Sequence, residues 1–314
     1  MHFFTVQTVQ TLLEVFGILF VMIDLHTHST ASDGTFSPAE LAAEAHKAGL
    51  SLFALTDHDT IAGVAEAQQA GKELGIRVIP GIEISVTWQP GELHLLGLGI
   101  DPNNKTLRDL MQYAQGKRQE RNYKIIEKFN EAGISIDRKK LADIAGGKVI
   151  GRPHFAKYLV QEKKAKSIQD AFQNYLAKGR PFYIEKECLT LAESIQAIKA
   201  AHGVPVLAHP MSLYLSWGKL PETIAHFKEE GLVGLEAWHS GARYGECVRL
   251  QALAQELGLI TTAGSDFHGA NRKDVHLGRT SNNLPIEDRF FTENLLPALA
   301  TVNPAYCMPS GGLA

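Results

Sequence analysis

Cysteine is scarce in this 314-residue chain: Cys188, Cys247 and Cys307 stand far apart and form no CxxC pair. That spacing argues against a disulfide framework and fits a reducing cytoplasm. It also argues against a thiolate zinc site, so any metal here must be held by nitrogen and oxygen. Long apolar runs are missing too. The uninterrupted stretch VFGILFVMI is too short to span a bilayer, and no stable membrane association is expected. The opening MHFFTVQTVQTLLEVFGILFV lacks both a Lys/Arg-rich start and a small-residue cleavage site, which argues against an export signal. Residues 1–21 therefore read as an N-terminal extension outside the fold, with Met22 opening a complete first strand. No internal repeat or low-complexity tract is present. The Tyr and Trp residues form no stacking array like those of single-strand binders.

At 45% apolar and 21% charged, the composition excludes disorder and allows one large domain or a barrel with an insertion. The net charge of −3 conceals a division. Residues 104–186 hold 19 Lys/Arg against 9 Asp/Glu, a local +10, and the remainder holds 12 against 25, or −13. The middle segment is thus suited to face an anion such as a nucleotide or nucleic-acid backbone; the plain alternative is a solvated helical surface.

Short apolar runs alternate with helical patterns. Candidate strands are 22–26, 51–56, 76–79, 82–86, 93–99, 204–208, 233–238 and 259–264. Between the first two, SPAELAAEAHKAG supplies Ser37 as N-cap, Pro38 at the first helical position, Glu40 to complete a capping box and Gly49 as the stop. Further helices fit TIAGVAEAQQAGKELG, LTLAESIQAIKAAHG, 219–231 and 243–257. Repeated strand–helix units with buried strands imply an α/β fold with a parallel sheet, most economically closed into a barrel. Residues 101–186 break the rhythm with helical patterns such as 106–132 and 154–161, and no strand until a weak candidate at 181–184. The expected organisation is a barrel from 22–103 and 187–285, a basic helical insertion at 104–186 and a C-terminal tail at 286–314.

The segment MIDLHTHSTASDG ends its strand with His26 and His28, which at i and i+2 point to one face. In parallel barrels functional residues gather where strands end. Reading each strand to its end adds Asp33, then His58 in TDHD, Glu83 in GIEIS, His94 in ELHLLG, His209 in VLAHP, and Asp266 and His268 in GSDFH. Six of the thirteen histidines fall at such positions, which scattered core histidines would not do. One ion uses four to six ligands, so nine imply two or three divalent ions, with Glu83 a candidate bridge. Imidazole and carboxylate suit manganese, iron or zinc, and manganese is favoured.

These motifs, with LTDHDT, GRPHFA and ELHLLGLGI, resemble the PHP (polymerase and histidinol phosphatase) superfamily of metal-dependent phosphoesterases over residues 22 to 280. The insertion carrying GRPHFA looks like the branch of 3′,5′-nucleoside bisphosphate phosphatases and RNase AM-type 5′→3′ exoribonucleases. The resemblance implies a distorted seven-stranded (β/α)7 TIM-like barrel and a trinuclear site. It would assign His26, His28, Glu83 and Asp266 to one metal, Glu83, His94 and His209 to a second, and Asp33, His58 and His268 to a third.

The implied chemistry is phosphate-ester hydrolysis. A divalent ion lowers the pKa of its water from about 15.7 to about 7, supplying hydroxide at neutral pH. Arg152 offers a planar fork for a second phosphate, and His154 is a candidate contact to phosphate or sugar. His239, closing VGLEAWH at the same rim, is the candidate general acid. Asp57 is either a partner orienting a ligand histidine or part of a turn. Asp59 flanks the motif, and His46, His202 and His226 read as surface or cap residues. The expected substrates are nucleotides and RNA 5′ ends. Two alternatives are a histidinol-phosphate-type monoesterase and a non-catalytic metal-binding module; the complete ligand set argues against the second.

Overall fold

Seven strands hydrogen-bond in chain order: β1 Met22–Thr27, β2 Leu50–Leu55, β3 Arg77–Val86, β4 Leu93–Leu98, β5 Val204–Leu207, β6 Gly234–His239 and β7 Ile260–Gly264. The computed structural model describes residues 21–146, 150–185 and 188–306, so the expected extension, apart from Val21, and Cys307 lie outside it. The end of β1 and the segment after β7 nearly close the barrel: Asp266 N donates to His26 O at 2.9 Å, and His28 N to Phe267 O at 2.9 Å.

Two strand expectations need correction. The sheet is mixed, because β4 runs antiparallel to both β3 and β5. The runs 76–79 and 82–86 are one strand. Arg77–Pro80 pairs with β2 and Gly81–Val86 with β4, so Pro80, which has no N–H to give, falls at the changeover. The weak candidate at 181–184 is turn and coil rather than strand.

Helices α1 (Pro38–Lys47) and α2 (Val64–Leu74) follow β1 and β2. The capping box forms as the sequence requires: Ser37 Oγ accepts from Glu40 N, and Ser37 N donates to the Glu40 carboxylate at 2.8 Å. Between β4 and β5 lie α3 (Lys105–Glu131), α4 (Arg138–Ala145), α5 (Arg152–Gln161) and α6 (Ile168–Ala171), the last running into a π-turn at Phe172–Leu176. Helix α3 spans about 40 Å and serves two cores. Leu107 and Met111 pack on the barrel. Ile125 and Phe129 join Phe155, Leu159, Leu176 and Phe182 in a separate core, with the Phe129 and Phe182 rings 3.9 Å apart. Helices α7 (Leu191–Ala200), α8 (Leu220–Glu229) and α9 (Tyr244–Glu256) complete the barrel wall.

Residues after 285, expected as a tail, belong to the barrel core. Ile286, Phe290, Phe291, Leu295 and, on α10 (Leu296–Val302), Leu299 are buried against Ile23, Leu98 and Val204. They seal the barrel end away from the histidines. Among the described residues no helix is long and apolar enough to cross a membrane.

Candidate metal centre

All nine proposed ligands converge at the opposite end of the barrel. His26 Nε2 and His28 Nε2 stand 3.1 Å apart. Glu83 Oε2 lies 3.3 and 3.2 Å from them, and Asp266 Oδ1 lies 3.5 and 3.1 Å away. Ligands about 2.1 Å from a common ion stand about 3.0–3.4 Å apart, so this quartet fits one cation. A second group brings Asp33, His58 and His268 together with His28. His94 Nδ1 and His209 Nε2 each lie 2.9 Å from Glu83 Oε1, and His58 Nδ1 lies 3.0 Å from Oε2. Both oxygens of Glu83 are thus shared, as a bridging carboxylate requires.

The protons show why a cation fits. His26 Nδ1 donates to Glu236 Oε1 at 2.9 Å. Ser212 Oγ donates its hydrogen to Glu92 O, so it accepts from His209 Nδ1 at 3.0 Å. His268 Nδ1 donates to the Asp266 carbonyl at 2.8 Å. In each neutral ring the other nitrogen is then a bare lone pair, and each of these lone pairs faces a carboxylate oxygen. Protonating every ring instead would crowd like charges, with His28 and His268 centred 4.1 Å apart. Buried His28 Nδ1, His58 Nδ1, His94 Nδ1 and Glu83 Oε2 also have no hydrogen-bond partner among the described residues. Divalent ions resolve all of these contacts at once.

Electrostatics agree. Burial works against ionised Glu83, yet His58, His26 and His94 hold it well below the usual carboxylate range. Burial likewise opposes the His28 cation, but Asp266 and Glu83 outweigh it and push the group up to about 10. The backbone is strained where ligands are presented. His209 and Asp266 have φ of +26° and +57°, conformations that cost on the order of 1–3 kcal/mol each and recur at functional sites.

The remaining expected residues divide. His239 lies at the centre: its Nδ1 accepts from Gly241 N at 3.0 Å, which leaves the proton on Nε2, 3.4 Å from Asp266 Oδ2. Asp57 does not reach the cavity. Its carboxylate accepts from Ser29 N, Ser29 Oγ and Ser32 Oγ at 2.8, 2.7 and 2.6 Å, tying down the loop that carries Asp33. Among the described residues its carboxylate thus positions this loop rather than a ligand histidine. His154 is buried on α5, and its Nδ1 accepts from Gly151 N at 3.0 Å. Arg152 stacks over Tyr183 at 5.4 Å, and its neighbours Gly151, Pro153 and His154 line the cavity in its place.

Four residues escaped the sequence reading. Glu236 accepts from His26 Nδ1 and, at 2.7 Å, from His209 N, so one buried carboxylate orients two ligands. Arg272 pairs with Asp266, Arg118 with Asp59, and Lys157 joins both arginines along a cavity of about 820 Å³. The insertion forms one wall of that cavity, and the histidines form its floor.

The chain belongs to the PHP domain family, whose sequence profile matches residues 24–187. A 5′-3′ exoribonuclease of Haemophilus influenzae is 38% identical over 245 residues, covering 78% of this chain and 89% of the relative. A 3′,5′-nucleoside bisphosphate phosphatase of Chromobacterium violaceum is 32% identical over 273 residues, covering 84% and 93%. A solved Chromobacterium violaceum amidohydrolase with bound sulfate and no metal superposes with a TM-score of 0.73 at 31% identity, covering 84% of this chain and 93% of that one.

Proposed function

We propose that this chain, a metal-dependent phosphoesterase, hydrolyses phosphate esters of 3′,5′-nucleoside bisphosphates and of RNA at its 5′ end. The observation that carries this reading is the junction of a histidine–carboxylate floor with a basic wall around one cavity, in a chain similar to relatives with both activities.

His26, His28, Glu83 and Asp266 would hold one ion, and Asp33, His58 and His268 another; His94 and His209 would hold a third through Glu83. Manganese suits these hard and borderline donors, with iron or zinc as alternatives. Bound there, the ions supply Lewis acidity toward phosphoryl oxygen and water activated at neutral pH. The protein's own groups do the rest. Arg272 and Lys157 give positive charge beside the floor for non-bridging phosphate oxygens. His239 carries its proton on Nε2, facing the floor, where it can pass to a departing ester oxygen. Glu236 fixes the tautomer of His26, and Asp57 holds the Asp33 loop. His154, which lines the cavity at the start of α5, serves the sugar or second phosphate, whereas Arg152 stacks over Tyr183.

The test is turnover by manganese-loaded protein of adenosine 3′,5′-bisphosphate and of 5′-monophosphorylated RNA. Release of inorganic phosphate or of 5′ nucleotides is expected, and no turnover of either overturns the assignment.

A further inference from the structure

The turn that follows His209 presents a side chain that packing does not explain. After β5 the chain passes through the 3₁₀ turn Pro210–Leu213 to Tyr214, whose φ of +52° and ψ of +37° lie in the left-handed region. Glycine adopts that conformation freely, whereas a bulky side chain is strained there. Burial does not offset the strain, because Tyr214 is 75% exposed. Among the described residues no hydrogen bond uses its hydroxyl. A position that stability alone would give to glycine thus keeps an uncovered aromatic ring.

The backbone around that ring is fixed. Ser212 Oγ donates to Glu92 O at 2.9 Å, and Glu92 N donates to Ser212 O at 2.8 Å, which docks the turn onto the segment before β4. Trp88 Nε1 donates to Leu213 O at 3.2 Å, and the Leu213 side chain is buried. On the other side, the Arg249 guanidinium lies over the Trp217 ring, 4.1 Å from its centroid. The neighbours are anchored, and Tyr214 itself lines the metal-centre cavity, with half-buried Met211 in the same lining. The other exposed groups along that cavity are mostly charged or ligating and suit phosphate or metal. A rigid, uncovered aromatic face suits a flat π-system instead.

We propose that Tyr214 is a stacking platform for the nucleobase of the substrate, with Met211 as its apolar border. This rests on the phosphoesterase reading and deepens it: the floor takes the phosphate, and Tyr214 takes the base. Stacking uses the π-face that every base has, so bases of any identity are accepted and a phosphate ester without a base is disfavoured. Tyr214 takes no part in bond breaking; its role is recognition.

The test compares Tyr214→Ala, Tyr214→Phe and Tyr214→Gly with the parent, all manganese-loaded. The substrates are adenosine 3′,5′-bisphosphate and its abasic analogue, in which hydrogen replaces the base. The parent should prefer the nucleotide. That preference, read as the ratio of the two kcat/KM values, should fall about fivefold to a hundredfold in Tyr214→Ala, the scale of one lost base–aromatic stack, with the change carried by KM. Tyr214→Phe keeps the ring and should keep the preference. Tyr214→Gly relieves the backbone and should melt no lower than the parent while losing the preference. An unchanged preference in Tyr214→Ala overturns the platform, as does an equal loss in Tyr214→Phe. A melting temperature of Tyr214→Gly below the parent's would make the ring structural and overturns it too. If no form turns over either compound, binding of the bisphosphate by calorimetry decides. Weaker binding by Tyr214→Ala but not by Tyr214→Phe keeps the platform while the phosphoesterase reading fails, and equal binding by all forms removes both.

Discussion

The barrel floor and the insertion wall carry opposite charges, and each is left incomplete by the protein alone. On the floor, imidazole lone pairs and carboxylates face one another and Glu83 is shared by five histidines. In the wall, Arg118 and Lys157 line the cavity, and the Nε of buried Arg121 has no hydrogen-bond partner among the described residues. The floor calls for cations and the wall for anions, and a phosphate ester bound between them meets both needs. The two regions also have separate hydrophobic cores, joined by α3. On the proposed function, chemistry is built on the barrel, and recognition on an element with its own hydrophobic core.

Substitutions should separate the two. Glu83→Gln strikes the floor hardest: one neutral amide cannot serve five imidazoles, and kcat should fall at least about a thousandfold, with loss of bound metal by elemental analysis. Phe129→Ala should do the reverse. Removing a ring buried against Phe155 and Phe182 should cost about 3–5 kcal/mol locally. Calorimetry should show the insertion unfolding earlier while the metal content of the barrel stays intact; loss of metal would show that the two are not independent. Glu236→Gln leaves every ligand in place but loosens His26 and His209, so metal affinity, read by competition with a chelator, should drop about tenfold to a hundredfold. Lys157→Ala touches only the wall. It should raise KM a few-fold, and the effect should shrink in high salt as screening replaces the lost charge.

The floor was legible in the sequence because its ligands mark strand ends, where a His or Asp interrupts an apolar run. Glu236 was not, since one acid inside GLEAWH does not reveal which side of the sheet it faces. The antiparallel β4 had a readable sign: six residues separate Val86 from Leu93, too few for a parallel crossover. The Pro80–Gly81 break misled for a local reason, because a proline at a change of pairing partner does not end the strand. Phe290, Phe291, Leu295 and Leu299 belong to the core by their spacing, but no strand near them signalled what they cover. In the wall, Arg152 drew attention through its motif. Arg118 and Arg121, within a long basic helix, are indistinguishable in sequence from solvated charges; the burial of Arg121 and the pairing of Arg118 with Asp59 set them apart.

Everything here depends on clustered imidazoles and carboxylates being a ligand shell rather than a set of mutually neutralising ion pairs. Elemental analysis of catalytically active protein, dialysed free of loose ions, addresses this directly. Two to three transition-metal ions per chain, and loss of both ions and turnover on chelation, is the predicted result. Full turnover in protein that carries no such ion would contradict it.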